Sequence, residues 1–145
     1  MYKRILLAYD GSEAGQKALL DCGDLANLSG AELSLIAVMP LHMGSIGLEV
    51  GVYDQAAEER ERERYQAILE SGITRLAGAG HKVTGEVVAG DSVSEITRHA
   101  SKINADLIVV GHKHLDGWAA RWWQGAISGA LIEHAHCSVL VVIIR

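Results

Sequence analysis

The chain has 145 residues and carries a formal net charge of -5 at pH 7 with its histidines neutral. That length predicts a single domain, residues 1–145, whose core is large enough to fold without disulfide bonds. The negative net charge and the lack of a basic run argue against a nucleic-acid partner and against an anionic membrane surface. The chain also lacks an apolar run of about 20 residues, the length needed to span a membrane.

The first half of the chain predicts two strands and two helices. Residues 4–10, RILLAYD, form an apolar strand that ends in a carboxylate, and residues 33–38, LSLIAV, form a second one. Between them Ser12 is placed to cap a helix that Gly30 ends. Its buried face comprises Ala14, Ala18, Cys22, Leu25 and Ala26. Residues 41–53 fit no period and predict a mobile connection, after which an apolar stripe from Tyr65 to Leu76 predicts the second helix.

The second half repeats the alternation. Residues 82–89 predict a third strand, and Ser92 and Glu95 have the spacing of a capping box at the start of a third helix. Residues 107–110 predict a buried fourth strand that stops at Gly111. A short helix after Gly125 and a closing strand over residues 138–144 complete the pattern.

Strands that alternate with helices predict an α/β fold, because parallel strands require crossover connections. We expect a doubly wound, five-stranded parallel sheet of order 3-2-1-4-5, Rossmann-like, with four helices. Ligands of such sheets bind beyond the carboxyl ends of the strands, where the strand order reverses. This point lies between Asp10 and Gly111. A strand, a glycine loop and a helix start can also bind an anion there, since free N–H groups and the helix dipole converge.

The cysteines and histidines indicate neither disulfides nor a metal. Cys22 and Cys137 lack CxxC spacing, so they predict reduced thiols, and Asp10 interrupts the first apolar stretch too early for a signal peptide. We therefore expect a cytoplasmic protein. Two His-x-His pairs lack a third ligand at a familiar spacing, and we expect no zinc site. These pairs are His112 with His114 and His134 with His136.

Three tryptophans lie in one segment beside Arg121. They are Trp118, Trp122 and Trp123. They either cover the crevice and pack on the last helix, or one of them stacks on a ligand base or a partner subunit. No Gly-x-Ser-x-Gly elbow, GxxxxGK[ST] loop or GxGxxG turn is present, and a lone carboxylate at Asp10 does not make an active site.

Several segments together resemble the universal stress protein family over essentially the whole chain. They are RILLAYDGSEAGQKAL, LSLIAV, VAGDSVSEI, ADLIVVGH and GAISGALIEHAHCSVLVV. The resemblance implies a cytoplasmic, non-catalytic stress-response protein and a homodimer that pairs through the final strands. Such pairing suits residues 139–144, an apolar edge strand that would otherwise be exposed.

One branch of this family binds ATP through a glycine-rich loop, and the resemblance implies a site for ATP, with Mg, or AMP. Asp10 would contact the nucleoside, the backbone of Val38 the adenine, and Gly111 and Gly125 would let the chain approach the phosphates. The full set implied is Ala8, Tyr9, Asp10, Val38, Val110, Gly111, His112, His114, Gly125, Ala126, Ile127 and Ser128.

Two residues depart from that loop pattern. His114 replaces the second glycine, and Ala126 replaces a hydroxyl residue that would donate to a phosphate. Cations in the same segment can substitute for the lost donors, and they come from Lys113, Arg121 and protonated His112 or His114. The alternatives are therefore a dimeric module that binds protein partners and no nucleotide, and an enzyme, either a slow ATPase or an adenylate-transfer enzyme.

Overall fold

The computed structural model describes residues 1–41, 55–113 and 125–145. Its strands are β1 (Arg4–Ala8), β2 (Glu32–Met39), β3 (Val83–Ala89), β4 (Leu107–Lys113) and β5 (Ser138–Ile144). The helices of the described residues are α1 (Glu13–Ser29), α2 (Gln55–Gly78), α3 (Ser92–Lys102) and α4 (Gly125–His134). All five strands are parallel and lie in the order β3-β2-β1-β4-β5, which confirms the predicted topology.

The helices cover both faces of the sheet because successive side chains of a buried strand point to opposite sides. In β1, Ile5 and Leu7 pack with α1 and α2, whereas Leu6 packs with α3 and α4. Residues from all four helices thus form two apolar layers, one on each face of the sheet. The middle of the central strand, residues 5–7 of β1, is buried between them. No helix in the described part of the chain has the length and apolar character needed to cross a membrane.

The caps of α1 are those predicted from the sequence. Ser12 Oγ accepts the N–H of Gly15 at 3.0 Å, and Gly30 takes the left-handed conformation with φ 69° at the other end. The cap predicted for α3 is wrong by one residue. Asp91, not Ser92, is its N-cap and accepts the N–H of Ser94 at 3.0 Å. A carboxylate suits this position, and the bonds from Ser94 hold the pKa of Asp91 below its usual value.

Two strand ends differ by more than one residue from those predicted. β1 ends at Ala8 rather than residue 10, because the Asp10 carboxylate turns the chain into α1. β4 continues through Gly111 to Lys113, because β5 runs equally far and pairs Gly111 with Val142 and Lys113 with Ile144. The expectations for residues 42–53, His114, Arg121 and the three tryptophans lie outside the described residues.

Candidate functional site

The early end of β1 leaves a gap at the carboxyl edge of the sheet. The last ladder contact of β1 with β2 is the bond from Tyr9 N–H to the carbonyl of Ile36, at 2.9 Å. Its register with β4 ends at Ala8 and Val110. Since both neighbours continue, β2 to Met39 and β4 to Lys113, they flank a space that β1 does not fill. This is the place where the strand order reverses, as the sequence predicted.

Backbone groups without backbone partners face this gap. The carbonyl of Ile36 points toward β1, and backbone direction repeats every second residue, so the N–H and C=O of Val38 point the same way. The Asp106 N–H bonds the Arg4 carbonyl, so by the same alternation the N–H and C=O of His112 also face the gap. Within the described residues none of these four groups has a backbone partner. They can therefore bond to a ligand.

The gap opens into a cleft of about 540 Å³. Most of the residues expected to bind a cofactor line it: Ala8, Tyr9, Asp10, Val38, Val110, Gly111, His112, Ile127 and Ser128. Gly125 and Ala126 begin α4, and His114 lies outside the described residues. Lining residues that sequence reasoning did not assign to the site are Ser12, Glu13, Ala14, Ile36, Ser92 and Ile96, whereas Lys113 was expected there as a cation. All of them except Ile96 lie within four residues of the carboxyl end of a predicted strand, and this position is the signal that could have identified them. Ile96 lies in the second turn of α3 and carries no such signal.

Asp10 is held in place by the first turn of α1. Its Oδ1 accepts the N–H of Ser12 at 3.0 Å and the Ser12 hydroxyl at 2.5 Å, while the Ser12 oxygen caps Gly15. The turn passes through Gly11 at φ 76°, a conformation that favours glycine. Within the described residues Asp10 Oδ2 has no partner. It is free to accept hydrogen bonds from the hydroxyl groups of a ligand.

The side chain of Tyr9 lies away from the cleft. Its ring packs between α1 and α2, where a Cβ on Gly72 would come within 2.8 Å of Tyr9 Cε1 and one on Gly15 within 3.5 Å of Cδ2. Tyr9 is buried in the core on that face. Only the backbone of Tyr9 can therefore have the binding role that the sequence predicted for this residue.

Gly111 lies inside β4 and not in a loop, contrary to the sequence prediction. Alternation along the strand directs its N–H and C=O toward β5, while its Cα faces α1. A Cβ at this position would lie 2.4 Å from the carbonyl carbon of Ala14 and 2.7 Å from Gly15 N. The close approach that requires a glycine here is that of helix α1 to the strand.

Opposite charges line the two sides of the cleft. The carboxylates of Asp10 and Glu13 stand on the side of α1, and the ammonium group of Lys113 stands at the end of β4 beside the imidazole of His112. An apolar floor lies between them, made of Ala8, Ile36, Val38, Ile96 and Val110. This arrangement suits a ligand with a flat apolar group, hydroxyl groups and an anionic end. The described residues contain no group of three or more His, Cys, Asp or Glu side chains that could hold a metal ion.

Comparison with known proteins gives consistent matches along the chain. A profile of the Universal stress protein family matches residues 1–142. A curated universal stress protein of Methanocaldococcus jannaschii is 31% identical over 144 residues, which cover 98% of this chain and 82% of the relative. The crystal structure of a universal stress protein family member from Burkholderia pseudomallei is 26% identical with a TM-score of 0.76, covering 97% of this chain and 96% of that one.

Two structural neighbours were solved with nucleotides. A universal stress protein in complex with cAMP is 22% identical with a TM-score of 0.70, over 99% of this chain and 98% of that one. The universal stress protein of Archaeoglobus fulgidus in complex with dAMP is 17% identical with a TM-score of 0.68, over 97% and 98%. At these identities the likeness shows the fold.

Proposed function

Because the chain belongs to the universal stress protein family, we propose that it binds an adenine nucleotide, ATP or AMP, in the cleft between Asp10 and β4. The protein acts as a sensor in a stress response and not as a catalyst. The observation that carries this proposal is the pair of backbone groups of Val38, which face the cleft and have no backbone partner among residues 1–41, 55–113 and 125–145.

A donor beside an acceptor matches the edge of adenine. The base presents an amino donor next to ring nitrogens that accept, and both kinds of group can pair with one backbone N–H and one C=O. The apolar floor around Val38 supplies the surface on which a planar base packs. Adenine is therefore the group that this part of the cleft fits.

The remaining parts of a nucleotide match the two charged sides. Asp10 Oδ2 can accept hydrogen bonds from ribose hydroxyls. Lys113 can neutralise phosphate, and an imidazole N–H of His112 can donate to it. The neighbours solved with cAMP and dAMP support a nucleotide at this fold. With ATP, a Mg²⁺ ion would be held mostly by phosphate oxygens and water, as is usual for this cation, because the described residues offer no cage of carboxylates.

Calorimetric titration of the purified protein with AMP and with ATP plus magnesium tests the proposal. Asp10→Asn keeps the shape and one acceptor oxygen while removing the charge, so we expect a loss of affinity of about 10- to 100-fold, as for a hydrogen bond to a charged group. Asp24→Asn, an exposed change on the outer side of α1, is the matched control and should bind normally. If the wild-type protein bound neither AMP nor ATP, the proposal would be refuted. The alternative function, a dimeric module that binds protein partners and no nucleotide, would then remain.

A measurement of ATP hydrolysis distinguishes the slow ATPase from a non-catalytic nucleotide sensor. Any ATP hydrolysis that Asp10→Ala abolishes would support the slow ATPase. Within the described residues Asp10 bonds to Ser12 and not to a histidine, which is the arrangement of a helix cap. We expect no hydrolysis above the level of the Asp10→Ala variant.

The second copy of the proposed homodimer pairs with β5. This strand ends the sheet, and its apolar residues Leu140 and Ile143 are 37% and 56% exposed. An exposed apolar edge strand is liable to pair with another chain, and an identical strand would cover it. The cytoplasm is the compartment we propose, since the thiols of Cys22 and Cys137 are free.

A further inference from the structure

The turn that carries Asp10 is held from outside the cleft. Gly11 packs against α2, where a Cβ on Gly11 would lie 3.2 Å from Ile68 Cγ2. The carbonyl of Gly11 accepts a hydrogen bond from Gln16 Nε2 at 3.2 Å. Gly11 precedes the Ser12 cap and Gln16 is the fourth residue of α1, so this bond joins the two positions that a hydrophobic staple usually joins.

Gln16 is in turn held by α2. Arg75 Nη1 donates to Gln16 Oε1 at 3.1 Å. The amide of Gln16 therefore accepts from one helix and donates to the turn, and these two bonds together fix which way the amide points. A continuous path of hydrogen bonds runs from Arg75 through Gln16 to the Gly11 carbonyl.

The same turn sets the direction of the Asp10 carboxylate. Gly11 lies between Asp10 and Ser12, whose N–H and hydroxyl hold Oδ1 and so determine where Oδ2 points. Building on the proposed function, we propose that Gln16 is a positioning residue for the nucleotide site. It does not line the cleft, and it acts by holding the turn so that Asp10 Oδ2 is ready to accept the ribose hydroxyls.

Two substitutions separate this role from a general role in packing the helices. Gln16→Glu keeps an oxygen for Arg75 but has no N–H for the Gly11 carbonyl, whereas Gln16→Met of similar length removes both bonds. The matched control is Gln66→Met, which removes a comparable exposed bond, from Gln66 Nε2 to Glu70 Oε1 at 3.1 Å within α2.

Adenosine is the probe, because it has no phosphate for the added carboxylate of Gln16→Glu to repel. We expect both Gln16 variants to bind adenosine about 3- to 10-fold more weakly, the effect of one lost hydrogen bond, and Gln66→Met to bind normally. In the ligand-free protein, hydrogen exchange of the Ser12 amide should accelerate by a similar factor in both Gln16 variants. The unfolding midpoint of Gln16→Glu should match that of the wild type.

The outcomes distinguish this inference from the proposed function. Wild-type adenosine affinity together with wild-type exchange at Ser12 in both Gln16 variants would overturn the positioning role and leave nucleotide binding intact. If the wild-type protein bound neither adenosine nor AMP, the proposed function would fail and the positioning role of Gln16 for a nucleotide would fail with it. Equal losses in Gln66→Met would also overturn the inference, since they would mark a nonspecific effect.

Discussion

Gly111 and Ala14 meet through bare backbone, so closely that a Cβ on Gly111 would lie 2.4 Å from the Ala14 carbonyl oxygen. This contact brings the first turn of α1 against the end of β4. Asp10 and His112 therefore border the same cleft. Gly111 was expected from the sequence to begin a loop, but in the structure it allows β4 to pack closely against α1.

Gly111→Ala should destabilise the protein strongly, because backbone atoms cannot move aside as a flexible side chain can. We expect urea denaturation to show a loss of about 3 kcal/mol in the free energy of unfolding. This is the upper end of the usual cost of inserting atoms into a packed core. Gly129→Ala is the control, since a Cβ there meets nothing within 4 Å and alanine favours a helix by about 1 kcal/mol over glycine. Equal stability of the two variants would contradict the contact.

Tyr9 should contribute to stability and not to ligand affinity. Its ring lies between Gly15 and Gly72, so Tyr9→Ala should cost about 3 to 5 kcal/mol of unfolding free energy. Tyr9→Phe keeps the ring and should leave adenosine affinity within about twofold of the wild type, well under the 1.4 kcal/mol that a tenfold change represents. A large loss of affinity in Tyr9→Phe would show that the hydroxyl reaches the ligand.

His99 should make the fold sensitive to mild acid. Burial lowers the pKa of His99 below its usual 6.5, Glu86 opposes this from 3.5 Å, and Lys102 adds to the lowering. The folded state thus binds fewer protons than the unfolded state, so stability is complete above about pH 6.5 and falls as the pH decreases toward the folded pKa. Denaturant titrations at several pH values should show a smaller loss for His99→Gln.

Glu86→Gln provides the opposite test on the same contact. Removal of the carboxylate should depress the pKa of His99 further and steepen the loss of stability below pH 6.5. An unchanged loss in this variant would mean that Glu86 does not act on His99, and a shallower loss would mean that it acts in the opposite direction.

The proposed dimer predicts that one charge on β5 separates the subunits. Ile143→Lys places a cation on the exposed edge strand, and we expect sedimentation velocity to give a monomer where the wild type gives a dimer. Leu28→Lys is the control, because Leu28 is 78% exposed on α1 and its replacement should leave the dimer intact. A monomeric wild-type protein would contradict the assignment of the interface.

Cys22 should be inert to thiol reagents. Burial, with a smaller effect of Asp21, raises the pKa of Cys22 to about 12, so almost no thiolate exists at pH 8. In the native protein we expect Ellman's reagent to label Cys137, which is partly exposed, before Cys22. Prompt labelling of both thiols would show that α1 opens readily.

The fold was predictable because its signals are local and repeated. Each buried strand is a short apolar run, the Ser12 and Gly30 caps bound α1, and alternation with helices leaves few topologies open. The ends of β1 and β4 were not predicted, since they depend on the register between elements far apart in sequence. The closing strand was expected to reach residue 144, but nothing near Gly111 shows that β4 pairs with it as far as Lys113 and Ile144.

The site was predictable in part for the same reason. Asp10, Val38 and Gly111 stand near the carboxyl ends of predicted strands, and a parallel sheet brings such ends together. The direction in which a side chain near a strand end points could not be predicted from the sequence. Tyr9 lies next to Asp10 in sequence, yet its ring packs in the core between α1 and α2. The amide of Gln16, which bonds the Gly11 carbonyl, also bonds Arg75, 59 residues away.

The short first strand has a consequence for how such a protein can diverge. The C=O of Val38 exists whatever side chain occupies that position, and so does its N–H with every residue except proline. The base recognition proposed above therefore depends on the relative lengths of β1, β2 and β4 and not on particular side chains. Substitutions elsewhere in the cleft can change the affinity for the charged end of a ligand, while the N–H and C=O of Val38 remain in place. Among the twenty amino acids, proline alone would delete the donor outright.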